Sequence, residues 1–205
     1  MKRTVMIAVV AAMVVAGGAR AENWANSLGR RSWGGFGGSF GTGTWEIGVP
    51  LGFEITGAKD EDTGDYAGRV LTQWGLRGAY GPEDWPVDLT AEVARAADNL
   101  FVRWHGRLGV RKVWRADKTF QPTLGAGLEL SHLSWEVASV VGDHGDSDLG
   151  YGAYATAGFR WAGVHWVFWT DLAYSYLTYN DFGSDVAPFV LYAGIGLGYR
   201  GARGW

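Results

Sequence analysis

The sequence predicts an all-β protein: an eight-stranded antiparallel up-and-down transmembrane β-barrel. Three observations carry that prediction. From Trp45 to Ile55 every odd position (Trp45, Ile47, Val49, Leu51, Phe53, Ile55) is apolar, and the even positions hold Glu46, Gly48, Pro50, Gly52 and Glu54. Side chains alternate faces along a strand, so this stretch has one apolar face and one of carboxylates and small residues. The same alternation recurs in about eight segments, separated by turn-rich connections that alternate between long and short. Finally, aromatic residues gather at both ends of the apolar face.

The chain begins with Lys2 and Arg3, runs through an apolar stretch from Val5 to Val15 and reaches Ala19-Arg20-Ala21. A basic start, a short apolar core and a small-x-small site make residues 1–21 a signal peptide, cleaved near Ala21. The apolar run is too short for a spanning helix. Residues 22–43 read as an N-terminal lead-in. Their Gly34-Gly35-Phe36-Gly37-Gly38 run follows no strand and precedes no Lys-Ser/Thr pair, so it is not a phosphate-binding loop. Residues 44–205 form the barrel. The chain has no cysteine and a formal net charge of −3, which rules out disulfides and gives no footing for nucleic acid.

Strand one covers about Thr44 to Thr56 and leads into the acidic segment Lys59 to Asp65. Strand two sets Tyr66, Val70, Trp74, Leu76 and Tyr80 against Arg69, Gln73 and Arg77. After the turn Gly81-Pro82-Glu83-Asp84, strand three sets Trp85, Val87, Leu89, Ala91 and Val93 against Asp88, Thr90 and Glu92. Strand four sets Leu100, Val102, Trp104, Leu108, Val110 and Trp114 against Arg103, His105, Arg107 and Arg111. Strand five sets Phe120, Leu124, Ala126, Leu128 and Leu130 against Gln121, Thr123, Gly125, Gly127 and Glu129. The longest connection is expected from Ser134 to Asp148. Strand six sets Tyr151, Ala153, Ala155, Ala157, Phe159 and Trp161 against Tyr154, Thr156 and Arg160, and a tight turn at Ala162-Gly163 follows. Strand seven sets Trp166, Phe168, Leu172, Tyr174 and Tyr176 against His165, Trp169, Asp171 and Ser175. Strand eight sets Phe189, Leu191, Ala193, Ile195, Leu197 and Tyr199 against Tyr192, glycines and Arg200.

The aromatics decide which face meets lipid. At the short-turn ends stand Trp45, Tyr80, Trp85, Trp114, Phe120, Trp161, Trp166 and Tyr199, all on the apolar face. At the other ends stand Phe53, Tyr66, Tyr151, Tyr174, Tyr176 and Phe189. About ten residue steps separate Tyr151 from Trp161, or roughly 25 Å for a strand tilted near 40°. That is the height of a lipid-facing band. A soluble barrel with an apolar interior, the lipocalin arrangement, has no reason to keep this spacing.

The polar face is then the lumen, with Glu46, Glu54, Arg69, Arg77, Asp88, Glu92, Arg103, Arg107, Arg111, Glu129, Arg160, Asp171 and Arg200. Both signs in a narrow interior should pair, because an unpaired buried ion is costly. A side-chain plug is expected, with a narrow porin-like channel as the alternative. No cofactor or metal is expected, since His105, His132, His144 and His165 are dispersed without zinc spacing.

Phrases such as Gln121-Pro-Thr-Leu-Gly-Ala-Gly-Leu and Tyr174-Ser-Tyr-Leu-Thr-Tyr-Asn-Asp-Phe-Gly, with the pattern from Thr44 to Tyr199, resemble the small eight-stranded outer-membrane barrels. That is the class of the outer-membrane protein A transmembrane domain and its porin-like relatives. The resemblance implies an integral protein of a Gram-negative outer membrane. Its partners would be membrane lipids and lipopolysaccharide, with the insertion machinery reading the last strand. Trp205 matches the family's terminal aromatic. Gly201 and Arg203 break the apolar alternation, so Gly201 to Trp205 is expected to act partly as a tail. His132-Leu133-Ser134 is similar to the outward His-x-Ser of outer-membrane lipid A deacylases, although Trp135 stands where that family has Asn. It implies a further alternative: an acyl-ester hydrolase with Ser134 as nucleophile, His132 as base and Asp146 or Asp148 orienting the ring.

Overall fold

The computed structural model describes residues 43–59, 66–82, 85–99, 101–114, 119–137, 144–180 and 186–203. The expected signal peptide, the lead-in before residue 43, the acidic segment after Lys59 and Trp205 lie outside the described residues. Eight strands run in order: β1 (Gly43–Lys59), β2 (Tyr66–Pro82), β3 (Asp88–Ala97), β4 (Phe101–Val113), β5 (Phe120–Val137), β6 (His144–Ala162), β7 (Trp166–Tyr179) and β8 (Phe189–Arg203). Each pairs antiparallel with the next, and β8 pairs with β1, so the barrel is closed without an edge. Among the described residues no helix is long and apolar enough to cross a membrane.

The register fixes the tilt. A path of paired residues starts at Phe159 of β6 and passes Thr170, Ile195, Leu51, Trp74, Arg95, Trp104 and His132. It returns to β6 at Leu149, a stagger of about ten residues. With strands about 4.8 Å apart and a rise of about 3.3 Å per residue, that stagger tilts the strands about 40°. Pro50 sits inside β1 without breaking this register. Its β8 pairing with Gly196 is kept, while the β2 pairing skips from Gly48–Arg77 to Leu51–Trp74. Lacking an N–H, the proline costs one local link in the ladder.

The barrel is inside out relative to a soluble protein. Leu108 and Leu128 of the outer face are 68% and 71% exposed, whereas the lumen's Arg103 is 0% exposed. The interior is also a jigsaw of large and small residues. Trp169 lies against Gly48 and Gly198, Tyr192 against Gly52, and Tyr154 against Gly109 and Gly127. A side chain at these glycines would occupy the space of a ring or of the neighbouring backbone.

Three expectations need correction. The β5–β6 hairpin continues past Ser134, with Trp135, Glu136 and Val137 paired to Asp146, Gly145 and His144. Backbone pairing does not need an apolar face, so the loss of alternation marks where that face ends and the ladder goes on. The tail also shortens: β8 pairs through Arg203 with Gly43. The Trp45 indole lies over Gly201, where an added Cβ would meet it at 2.7 Å. His165, expected inward, is exposed in the two-residue turn closed by Gly163 N–H donating to the Trp166 carbonyl (2.8 Å), with its ring stacked on Tyr199.

Candidate functional site

The lumen is the most built part of the molecule, and its centre is β4. Arg103, Arg107 and Arg111 stand on every second inward position, two pleat repeats apart, with His105 between the first two. Arg103 Nη1 donates to Glu54 Oε2 at 2.5 Å and Nε donates to Ser131 Oγ at 2.8 Å, and Nη2 pairs with Glu129. Arg107 Nε donates to Glu129 Oε2 (2.7 Å), while its Nη1 reaches Glu92 Oε1 (3.2 Å) and its Nη2 reaches Ser175 Oγ (3.2 Å). The Ser175 hydroxyl in turn donates to Glu129 Oε2 at 2.5 Å. Arg77 closes the net from the other side, donating to Glu92 Oε2 at 2.6 Å and pairing with Asp171. Six strands therefore meet across the barrel axis through three guanidiniums and four carboxylates.

A second group fills the short-turn end. Arg111 Nη2 holds Glu46 at 2.8 Å and Asp88 at 2.7 Å, and Arg160 pairs with Glu46 and lies 3.9 Å from Asp88. Arg200 is half-buried across the register from Glu46. At the opposite end Arg69 leaves the central net and pairs with Asp98 at 3.4 Å, its guanidinium 4.5 Å from the Phe101 ring centre. A small polar cavity of about 30 Å³, lined by Arg77, Glu92, Arg107, Arg111 and Tyr154 among others, has room for a water or two.

The long-loop end of the lumen carries a layer that charge reading missed. Leu71, Ala96, Phe101, Leu133, Leu177, Tyr179, Val186 and Val190 are buried together. Ala187 N–H donates to the Gly57 carbonyl at 2.8 Å and ties this stretch before β8 to β1. The signal was present: Leu71, Phe101, Leu133, Leu177 and Val190 all hold inward positions by strand parity. His105, Ser131 and Ser175 were legible in the same way. Asp98 lies beyond the end of β3, where parity no longer places a side chain.

The outer rim separates the proposed hydrolytic residues. His132 faces outward and is exposed. Ser134 shares that face, but its hydroxyl donates to the Val102 carbonyl at 3.2 Å. Asp148 is buried on the opposite face of the sheet, so it cannot orient the His132 ring. The Asp146 backbone pairs with Trp135, and its side chain lies outside the described ones. Among the described residues no group of three or more His, Asp or Glu is placed to hold a metal ion.

The short-turn girdle forms a belt of ring contacts. Trp45–Tyr199 and Trp166–Tyr199 centres are 5.7 Å apart, and Phe120–Trp161 are 5.4 Å apart. Trp85 and Trp114 are exposed and Tyr80 half-buried beside them in the girdle.

No family model matches the chain, and no curated protein matches it in sequence. Solved structures do match in fold. Neisserial surface protein A superposes with a TM-score of 0.55 at 13% identity, covering 76% of this chain and 96% of that one. The N-terminal β-barrel domain of Pseudomonas aeruginosa OprF superposes with a TM-score of 0.50 at 14% identity, covering 76% and 97%. The chain thus has the fold of the small eight-stranded outer-membrane barrels.

Proposed function

We propose that this protein is an integral outer-membrane barrel with a filled lumen, serving a structural or surface-interaction role and not acting as an open pore. The observation that carries the reading is the crossing of the lumen by paired charges beneath an apolar cap. An ion passing along the axis would have to displace Arg103, which is 0% exposed and held by two carboxylates and a hydroxyl. Eight-stranded barrels are just wide enough for their side chains, which supports a lumen filled by the plug. The apolar exterior between two aromatic belts supports insertion in a bilayer, because only a closed barrel satisfies its backbone there. Insertion would proceed through the β8 strand, which pairs with β1 as far as Arg203. The separation of Asp148 from His132 and Ser134 supports a non-enzymatic role.

The test is conductance of the purified protein in a planar bilayer. The expected record is a flat baseline with at most rare, small openings. A steady open-channel current from the wild-type protein would refute the filled-lumen reading.

A further inference from the structure

The lipid-facing surface contains one group that the fold does not explain. On the strands, among the described side chains, outward-facing charge is confined to Lys112 and Arg95. Lys112 sits at the short-turn rim and donates to the Pro86 carbonyl at 2.8 Å. Arg95 follows Leu89, Ala91 and Val93 on the outward face of β3, and among the described residues no carboxylate pairs with it. An arginine on the lipid side of a barrel costs up to about 2–4 kcal/mol at the midplane and little at the interface. An ionisable group within a spanning segment is a candidate for function until a partner is found.

Its neighbours give it a context. In register, Trp74 lies on one side of Arg95 and Trp104 on the other, and His132 follows Trp104 on β5. Each step along such a row climbs about 3 Å along the axis at a 40° tilt. Arg95, Trp104 and His132 consequently rise to the level of Tyr176, Tyr151 and Phe189, about 20–25 Å above the short-turn girdle. This is the headgroup boundary of the leaflet on the long-loop side. Arg95 and His132 are two strands apart, or about 10 Å, with the exposed indole of Trp104 between them.

Directly below this row the surface is notched. Gly106 faces outward between Val93 and Leu130, its cross-strand partners, and Trp104, His132 and Leu149 complete the walls. The floor is apolar and shallow, shaped for a hydrocarbon chain. A Cβ on Gly106 would meet nothing closer than the Glu92 carbonyl at 4.0 Å. The glycine is therefore not required by packing within the barrel.

We propose that the outward face of β3, β4 and β5 binds a bisphosphorylated glycolipid of the lipid A type. One phosphate would sit at Arg95, which can donate two parallel hydrogen bonds to it. The other would sit at His132, whose imidazole N–H donates in either protonation state. The sugar face would stack on Trp104, and an acyl chain would fill the notch over Gly106. Two donors about 10 Å apart with an aromatic plate between them match a phosphate–sugar–phosphate headgroup better than the single phosphate of a phospholipid. The long-loop side is the one that faces such a lipid. This site rests on the outer-membrane reading above.

The experiment uses the full mature chain in phosphatidylcholine nanodiscs carrying a few per cent of either bisphosphoryl lipid A or phosphatidylglycerol matched in charge. Retained lipid is counted by native mass spectrometry after detergent release. Wild type should retain lipid A in preference to phosphatidylglycerol. Arg95→Ala should lower lipid A retention roughly tenfold, the effect of one lost charge-assisted hydrogen-bond pair. Gly106→Leu should lower it as well by filling the notch, and it leaves the barrel room to fold. Equal retention of lipid A by wild type and Arg95→Ala overturns the site. Equal retention of phosphatidylglycerol and lipid A by wild type also overturns it, since Arg95 would then be a general anchor for anionic lipid. A chain that does not enter the nanodisc at all sinks the membrane reading itself, which separates the two failures.

Discussion

Replacing Arg103 with alanine tests the lumen most severely. The side chain is fully buried, and it is the only guanidinium that reaches Glu54 among the described residues. Its loss leaves Glu54 with His105 Nδ1 at 3.5 Å and an Oε1 that already has no hydrogen-bond partner. Glu129 fares better, because Arg107 at 2.7 Å and Ser175 at 2.5 Å still hold it. Removing one member of a buried ion pair costs about 3–5 kcal/mol, most of it the stranded charge left behind. Arg103→Ala should therefore destabilise the barrel by about that amount. Arg107→Ala should cost less, because both of its acids keep another arginine: Arg77 for Glu92 and Arg103 for Glu129. Adding Glu54→Gln to Arg103→Ala removes the stranded charge, so the double variant should regain about 2 kcal/mol of the loss. The assay is urea unfolding in liposomes followed by tryptophan fluorescence, with gel mobility of unheated samples as a second probe. An Arg103→Ala protein within about 1 kcal/mol of wild type, or a double variant with no recovery, would refute the stranded-charge argument.

At Gly196 the three atoms nearest an added Cβ all belong to the Trp169 indole, so Gly196→Ala alone should be destabilising by about 1–3 kcal/mol, and Trp169→Leu in the same chain should restore part of it. Near-ultraviolet circular dichroism and urea midpoints read both effects, and simple additivity would speak against the shared slot. For topology, an epitope inserted at Thr63, between β1 and β2, should be labelled on intact cells, and one at Glu83, between β2 and β3, should not; the reverse pattern would invert the barrel. Lipid A from cells overproducing the wild-type protein and from cells overproducing Ser134→Ala should give identical mass spectra. Loss of an acyl chain with wild type but not with the variant would establish the hydrolase instead.

The sequence by itself determined the barrel. A two-residue period sustained over segments of ten or more residues assigns each side chain to a face, and the aromatic ends tell which face meets lipid. Parity alone puts the arginines of β4 and the carboxylates of β1, β3 and β5 inside. It also put Leu71, Phe101 and Leu133 inside, although attention to charge passed over the apolar cap they form. What only the closed structure decided is everything that depends on the stagger between strands. Glu54 meets Arg103 across the axis, and Arg77 meets Asp171 through the lumen, although these residues lie on strands that are not neighbours. Register across eight strands is a property of the whole ring, because each pairing passes its offset to the next until the circuit closes. The same stagger lifts Arg95, Trp104 and His132 into one row at the rim, from three strands whose sequences show no kinship there. Local alternation fixes a side chain's face, but its height and its partners come from closure.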